Sequence, residues 1–329
     1  MSAGFDNKIP SLDDELIARE EIPAAAEPLS YGLLHPVSIW KRMRTNSSSV
    51  VGLGMVLFIL FLAIFAPLLA PEKPTAEQRD VSNLPPSWMK QDVSIQEEPE
   101  HHYGKAWMGR DVRGQDIMSR VIYGARTSLL VGVAVVTIAS LLGVTLGCIA
   151  GYAGGFIDAF IMRIVDILLA FPFLILALAM VSIFPQANLI HISVVLGIAS
   201  WPGIARLMRG QVLATRENDY VKAASALGAG HIAILARHIL PNCIAPVIIW
   251  FTMGIAGAIM GEASLSFLGL GDPDSLSWGS MINAGLTKSD FPTQWWAAIF
   301  PAVALAITVL GFNLLGDGLQ DAINPRADN

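Results

Sequence analysis

The chain has 329 residues, 53% of them hydrophobic and 15% charged, with a formal net charge of −6. A soluble globular protein carries about 25% charged residues, so this deficit, with a mean hydropathy of +0.55, points to an integral membrane protein. The acidic balance gives no reason to expect nucleic acid as a partner. Cys148 and Cys243 both fall in apolar stretches, which argues against a disulfide framework or a metal site.

In chain order, residues 1–49 read as a cytoplasmic tail, acidic and proline-containing up to about residue 36. Lys41, Arg42 and Arg44 then precede the first apolar run and place the N-terminus in the cytoplasm. That run, 50–70, begins too far into the chain for a cleaved signal peptide and reads as a retained span. Residues 71–127 form a hydrophilic region assigned to the outer side. It carries many basic residues, Arg120 and Arg126 among them, against the usual charge bias, but that bias weakens for long translocated loops. The pair His101-His102 within it reads as surface histidine, since adjacent side chains do not converge on one ion.

A core over 128–318 follows, with spans at 128–152, 159–184, 189–208, 240–267 and 295–315, each near the roughly 20 residues a bilayer requires. Pro172, Pro202, Pro246 and Pro301 lie inside them, where neighbouring spans can satisfy the freed carbonyls. Gly143, Gly147, Gly151, Gly254, Ala256 and Gly257 read as close-packing positions. The expected architecture is an all-α membrane protein of six transmembrane helices. Both termini are then cytoplasmic, the second on a tail over 319–329.

Between the fourth and fifth spans lies a water-facing loop, 209–239, rich in small residues. Ala223, Ala224 and Leu227 share a helix face by their spacing, so the helix can sink into a shallow groove on a partner. Gly228 can reverse the chain because it tolerates positive φ. Pro241 suits the first turn of the next helix. From composition alone, an ordinary loop with short helices fits equally well.

Charges inside spans are costly, roughly 2.5–3.5 kcal/mol at mid-membrane. Arg163 and Asp166, three apart, read mainly as a mutual or interhelical ion pair that fixes packing, with a transport role as the alternative. Glu262 is a candidate for lining the translocation path, or for capping polar backbone near the outer surface. The chain has no Gly-x-x-x-x-Gly-Lys-Ser/Thr loop, no His-Glu-x-x-His and no Gly-x-Ser-x-Gly. Nothing suggests that it is an enzyme or that it binds a cofactor itself.

Tyr220-Val221-Lys222-Ala223-Ala224 with Gly228, Leu240 and Pro241 resembles the Glu-Ala-Ala loop of bacterial ABC-importer permeases. Lys222 stands where that family usually has Glu, and His238 where its general pattern has Ile. The run His238-Ile239-Leu240-Pro241-Asn242 is similar to the dipeptide/oligopeptide/nickel branch. So are the segments Gly114 to Arg120, Gly261 to Gly271, Ser277-Trp278-Gly279 and Asn313 to Leu319, which indicate its C-type subunit. The resemblance covers roughly residues 36–327. It implies a type I ABC-importer permease core in the bacterial inner membrane. Tyr220, Lys222, Ala223, Ala224, Leu227, Gly228, Leu240 and Pro241 would then form the ATPase-coupling loop. The implied partners are a homologous second permease, two ATPases that hold ATP and magnesium, an extracytoplasmic solute-binding protein, the peptide substrate and membrane lipid. Nickel or another small solute is the alternative within the family. A stand-alone secondary transporter or channel is the alternative outside it.

Overall fold

The computed structural model describes residues 36–89, 106–272 and 275–323. The expected acidic tail up to residue 35, the His101-His102 pair and residues 324–329 lie outside them. Among the described residues the chain is helical, with no named strand. Five helices are long and apolar enough to cross a membrane, or six spans if one bent pair counts as a crossing.

Helix α1 (Pro36–Thr45) leads into α2 (Ser47–Ile64), which starts at Asn46, whose side chain accepts a hydrogen bond from Ser48 N. A short α3 (Ala66–Leu69) follows. The long α4 (Ile117–Ala153) starts eleven residues earlier than the sequence pattern suggested. Its N-cap is Asp116, whose Oδ2 accepts from both Ser119 N (2.7 Å) and Ser119 Oγ (2.6 Å). Burial raises the Asp116 carboxyl above its ordinary value, with the Ser119 bonds pulling the other way.

The third span is not continuous. Helix α5 (Gly155–Ala170) and α6 (Phe173–Val181) meet at a bend of 93°. The expectation that Pro172 sits inside a helix is corrected: it is the N-cap of α6, and Phe171 before it is extended at φ −88°, ψ 138°. A residue preceding proline is driven out of the helical region, so the chain turns there. Pro202, Pro246 and Pro301 do lie inside helices, in α7 (Leu189–Arg216), α10 (Leu240–Phe267) and α12 (Trp296–Ile323). Helix α7 runs eight residues beyond its expected end, so the loop proper begins at Glu217. Helices α8 (Asp219–Ala226), α9 (His231–Ile234) and α11 (Trp278–Thr287) complete the order.

Close helix approach holds the bundle together. A Cβ on Gly143 would lie 2.5 Å from Ile204 Cβ, on Gly147 2.5 Å from Ala205 O, and on Gly151 2.9 Å from Arg209 O. The i, i+4 spacing of these glycines lets α4 and α7 pack backbone to backbone. Gly257 differs from the expectation, having open space where a side chain would stand.

The two ends of the bundle are distinct. At one, Arg42 Nη1 donates to Ala322 O (3.2 Å) and Asn46 Nδ2 to Asp321 Oδ2 (3.0 Å), so α1 and the end of α12 share a side, called here the near end. At the far end, Arg110 is 2% exposed and forks onto Glu72 at 2.5 and 3.0 Å. Trp296 Nε1 donates to Arg110 O (3.2 Å) and Trp278 Nε1 to Val121 O (3.0 Å), tying this region to α11 and α12.

Candidate functional site: a rigid near-end loop

Helix α8 closes in a Schellman arrangement: Gly228 N donates to Ser225 O (3.0 Å) and Ala229 N to Ala224 O (3.1 Å). Gly228 has φ +84°, as its role in reversing the chain requires. The chain then enters α9 and passes through one π-helical turn (Leu235–Ile239) into α10, whose first turn holds Pro241.

Apolar side chains divide sharply here. Val221, Ile234 and Ile239 are buried in one cluster with Met208, Val212 and Cys243, which fixes the loop to the bundle. Leu227 and Ile232, either side of the reversal, are 88% and 85% exposed. Ala223 is exposed and Ala224 half-buried, so the expected face of small residues with Leu227 points outward only in part. Tyr220 is exposed and Leu240 half-buried. Nothing in the sequence separates Ile232 from its neighbour Ile234. The outward position of Ile232 follows from the half-turn between it and buried Ile234, legible only once a helix is fixed there.

Polar contacts tie the loop to its neighbours. Lys222 Nζ lies 3.3 Å from Glu217 Oε2, and Arg216 Nε 3.7 Å from Glu217 Oε1. Lys222 thus pairs with an acid of its own loop. Tyr152 Oη and His231 Nδ1 are 2.8 Å apart, and Arg216 Nη1 donates to Gly151 O (3.3 Å) and Tyr152 O (3.2 Å). The end of α4 is therefore fastened to the loop.

The intramembrane charges take partners that spacing did not reveal. Asp166 pairs with Arg206 of α7 at 2.5 Å, not with Arg163. One layer nearer the near end, Arg209 forks onto Asp158 at 2.5 and 2.6 Å. An interhelical ion pair is present, but Arg163 is exposed and stands outside it. Glu262 does not line an open path in this structure. Its side chain is 0% exposed, and Ser266 Oγ donates to Glu262 Oε1 at 2.6 Å. Its place is the packed seam between α10 and α11. Cys148 and Cys243 are buried and free, Cys243 lying 3.4 Å from Thr215 Oγ1.

Comparison with known proteins agrees with this architecture. Residues 143–329 match the family described as binding-protein-dependent transport system inner membrane component. Residues 37–86 match the N-terminal transmembrane domain of oligopeptide transport permease C. The chain is 36% identical to the dipeptide transport system permease protein DppC of Bacillus subtilis, over 97% of this chain and 94% of that protein. It is 41% identical to the DppC of Escherichia coli strain K12, covering 87% and 92%. With the glutathione transport system permease protein GsiD of Pectobacterium atrosepticum the identity is 44%, covering 67% and 72%. An all-helical bundle, a broken third span and matches over most of the chain's length lead to one conclusion: this chain belongs to the family of binding-protein-dependent transport system inner membrane components, the permeases of ABC importers.

Proposed function

We propose that this chain is the C-type permease of an ATP-driven importer of di- and oligopeptides. The relatives named for dipeptide, oligopeptide and glutathione transport support peptides over nickel as the cargo. Its near end faces the cytoplasm, in keeping with Lys41, Arg42 and Arg44 beside the first span. The path is shared with a second, homologous permease, and a solute-binding protein delivers peptide to the far end. Two ATPase subunits hold ATP and magnesium and dock on α8 and α9. Closure of the motor pushes this loop and rocks the spans between inward- and outward-facing states.

The observation that carries the docking reading is the exposure of Leu227 and Ile232 on a loop otherwise fixed by buried Val221, Ile234 and Ile239. Covering both side chains on a partner would contribute on the order of 3–6 kcal/mol. A rigid support means that little ordering entropy offsets this gain. Cysteines placed at 227 and 232 are expected to cross-link to the ATPase subunits in the assembled complex. The variant Leu227→Asp with Ile232→Asp is expected to lose ATPase co-purification while remaining in the membrane. Absence of cross-links together with unchanged co-purification would sink the assignment.

A further inference from the structure

Helix α5 buries Val165 (0% exposed) and Ile161 against the bundle. Arg163 stands about 200° of helical rotation from Val165, at the centre of the opposite face. Around it on that face are Phe156, Phe160 and Ile167, which are 84%, 58% and 54% exposed. Among the described residues Arg163 has no ion pair or hydrogen bond. Beside it the Asp166–Arg206 pair is also open, with side chains 59% and 56% exposed. The layer below is different: Asp158 and Arg209 are largely covered, at 16% and 34%.

Charges at this depth are not left facing hydrocarbon. They turn to a protein interior or a water-filled cavity, and they commonly mark substrate paths. Arg163 lies roughly 12 Å along the helix from Gly155, beyond the Asp158–Arg209 layer. A guanidinium here offers a fork of donors that matches a carboxylate. Every linear peptide carries such a group at its C-terminus and an ammonium at the other end. The exposed set of two cations and one anion, with Asp166 held through one oxygen only, complements that zwitterion. A like-facing second permease would need an acid at the same depth.

The geometry points to Arg163 as the residue on the path that takes the C-terminal carboxylate of a peptide in transit. This rests on the peptide-importer reading above and names a contact within it. It moves substrate selection partly into the permease, on α5 and not on Glu262.

The test uses the full complex in proteoliposomes with its binding protein. The probes are a peptide and its C-terminal amide, chosen so that the binding protein holds both. Wild-type complex is expected to move the free acid faster. Arg163→Gln should slow the free acid about tenfold, the scale of a lost charge-assisted hydrogen bond, and leave the amide unchanged. Arg163→Lys should restore part of the preference. Equal slowing of both peptides, or an unchanged preference, as expected if Arg163 merely reaches to lipid phosphate, would overturn the proposal. So would failure of the permeases to assemble, which would assign Arg163 to the second permease. Loop docking is read separately, by cross-links from Leu227→Cys and Ile232→Cys in a complex that keeps Arg163, so the two readings can fail independently.

Discussion

Replacing Gly228 by valine isolates the conformational demand of the near-end loop. No atom lies within 4 Å of a Cβ added there, so the substitution meets no wall. The whole penalty resides in φ +84°, a region that costs a non-glycine residue roughly 1–3 kcal/mol and a β-branched residue towards the upper end. That energy lowers the population of the native reversal by about 5- to 150-fold. Asparagine enters the same region at smaller cost, so Gly228→Asn is the matched control. The assay is ATP-driven peptide uptake into proteoliposomes at equal amounts of membrane-inserted complex. Gly228→Val is expected to lose at least five-fold, and Gly228→Asn to stay near wild type. Because the turn lies outside the buried cluster, both proteins should reach the membrane normally. Wild-type uptake in the valine variant would refute the reasoning. Equal loss in both variants would show that the position needs emptiness and not a backbone conformation.

Two further outcomes follow from charge and burial. Lys222→Glu puts a like charge beside Glu217 in an exposed pair (58% and 64%), so stability should change by less than about 1 kcal/mol while ATPase binding weakens. A large drop in the thermal midpoint in detergent would show that Lys222 is structural instead. Glu72→Ala strips the carboxylate from Arg110, which is 2% exposed. Leaving a buried charge uncompensated costs roughly 3–5 kcal/mol, expected here as faster amide hydrogen exchange through residues 106–119. Unchanged exchange there would mean that the Gly114 carbonyl, 2.8 Å from Arg110 Nη1, suffices.

Much of this architecture is legible in the residues, because spans announce themselves by length and hydropathy. The glycines at 143, 147 and 151 show close packing by spacing alone. The limits lie where the answer depends on register between helices. Asp166 chooses Arg206, forty residues away, over Arg163 three residues away, because α5 and α7 bring their flanks together. Spacing along one helix cannot show that. Pro172 looked like the other span prolines, yet it alone of the four begins a helix and does not interrupt one. Phe171 and Pro172 sit at the 93° corner, where the chain leaves one helix axis for another. Glu262 was recognisable as an unusual charge, but its burial depends on α11, which packs through Gly279 against Ala263 beside it. The loop was readable in outline through Gly228, whereas the division between anchoring Ile234 and projecting Ile232 needed the helix phase.

One element spans both ends of the protein. Helix α4 has 37 residues, about 55 Å at 1.5 Å per residue. At one extremity Ser119 Oγ accepts from Glu72 N at 3.0 Å, and Ile117 N donates to Gly109 O at 3.1 Å. At the other, Tyr152 meets His231, and Arg216 grips the last carbonyls. A strut pinned in this way leaves little slack. A shift imposed at the His231 side must reappear near Glu72 and Arg110, or be absorbed as curvature in between. If ATPases dock at the near end and peptide arrives at the far end, as proposed above, news of the motor's state has a mechanical route between them, without any ligand crossing the membrane to carry it.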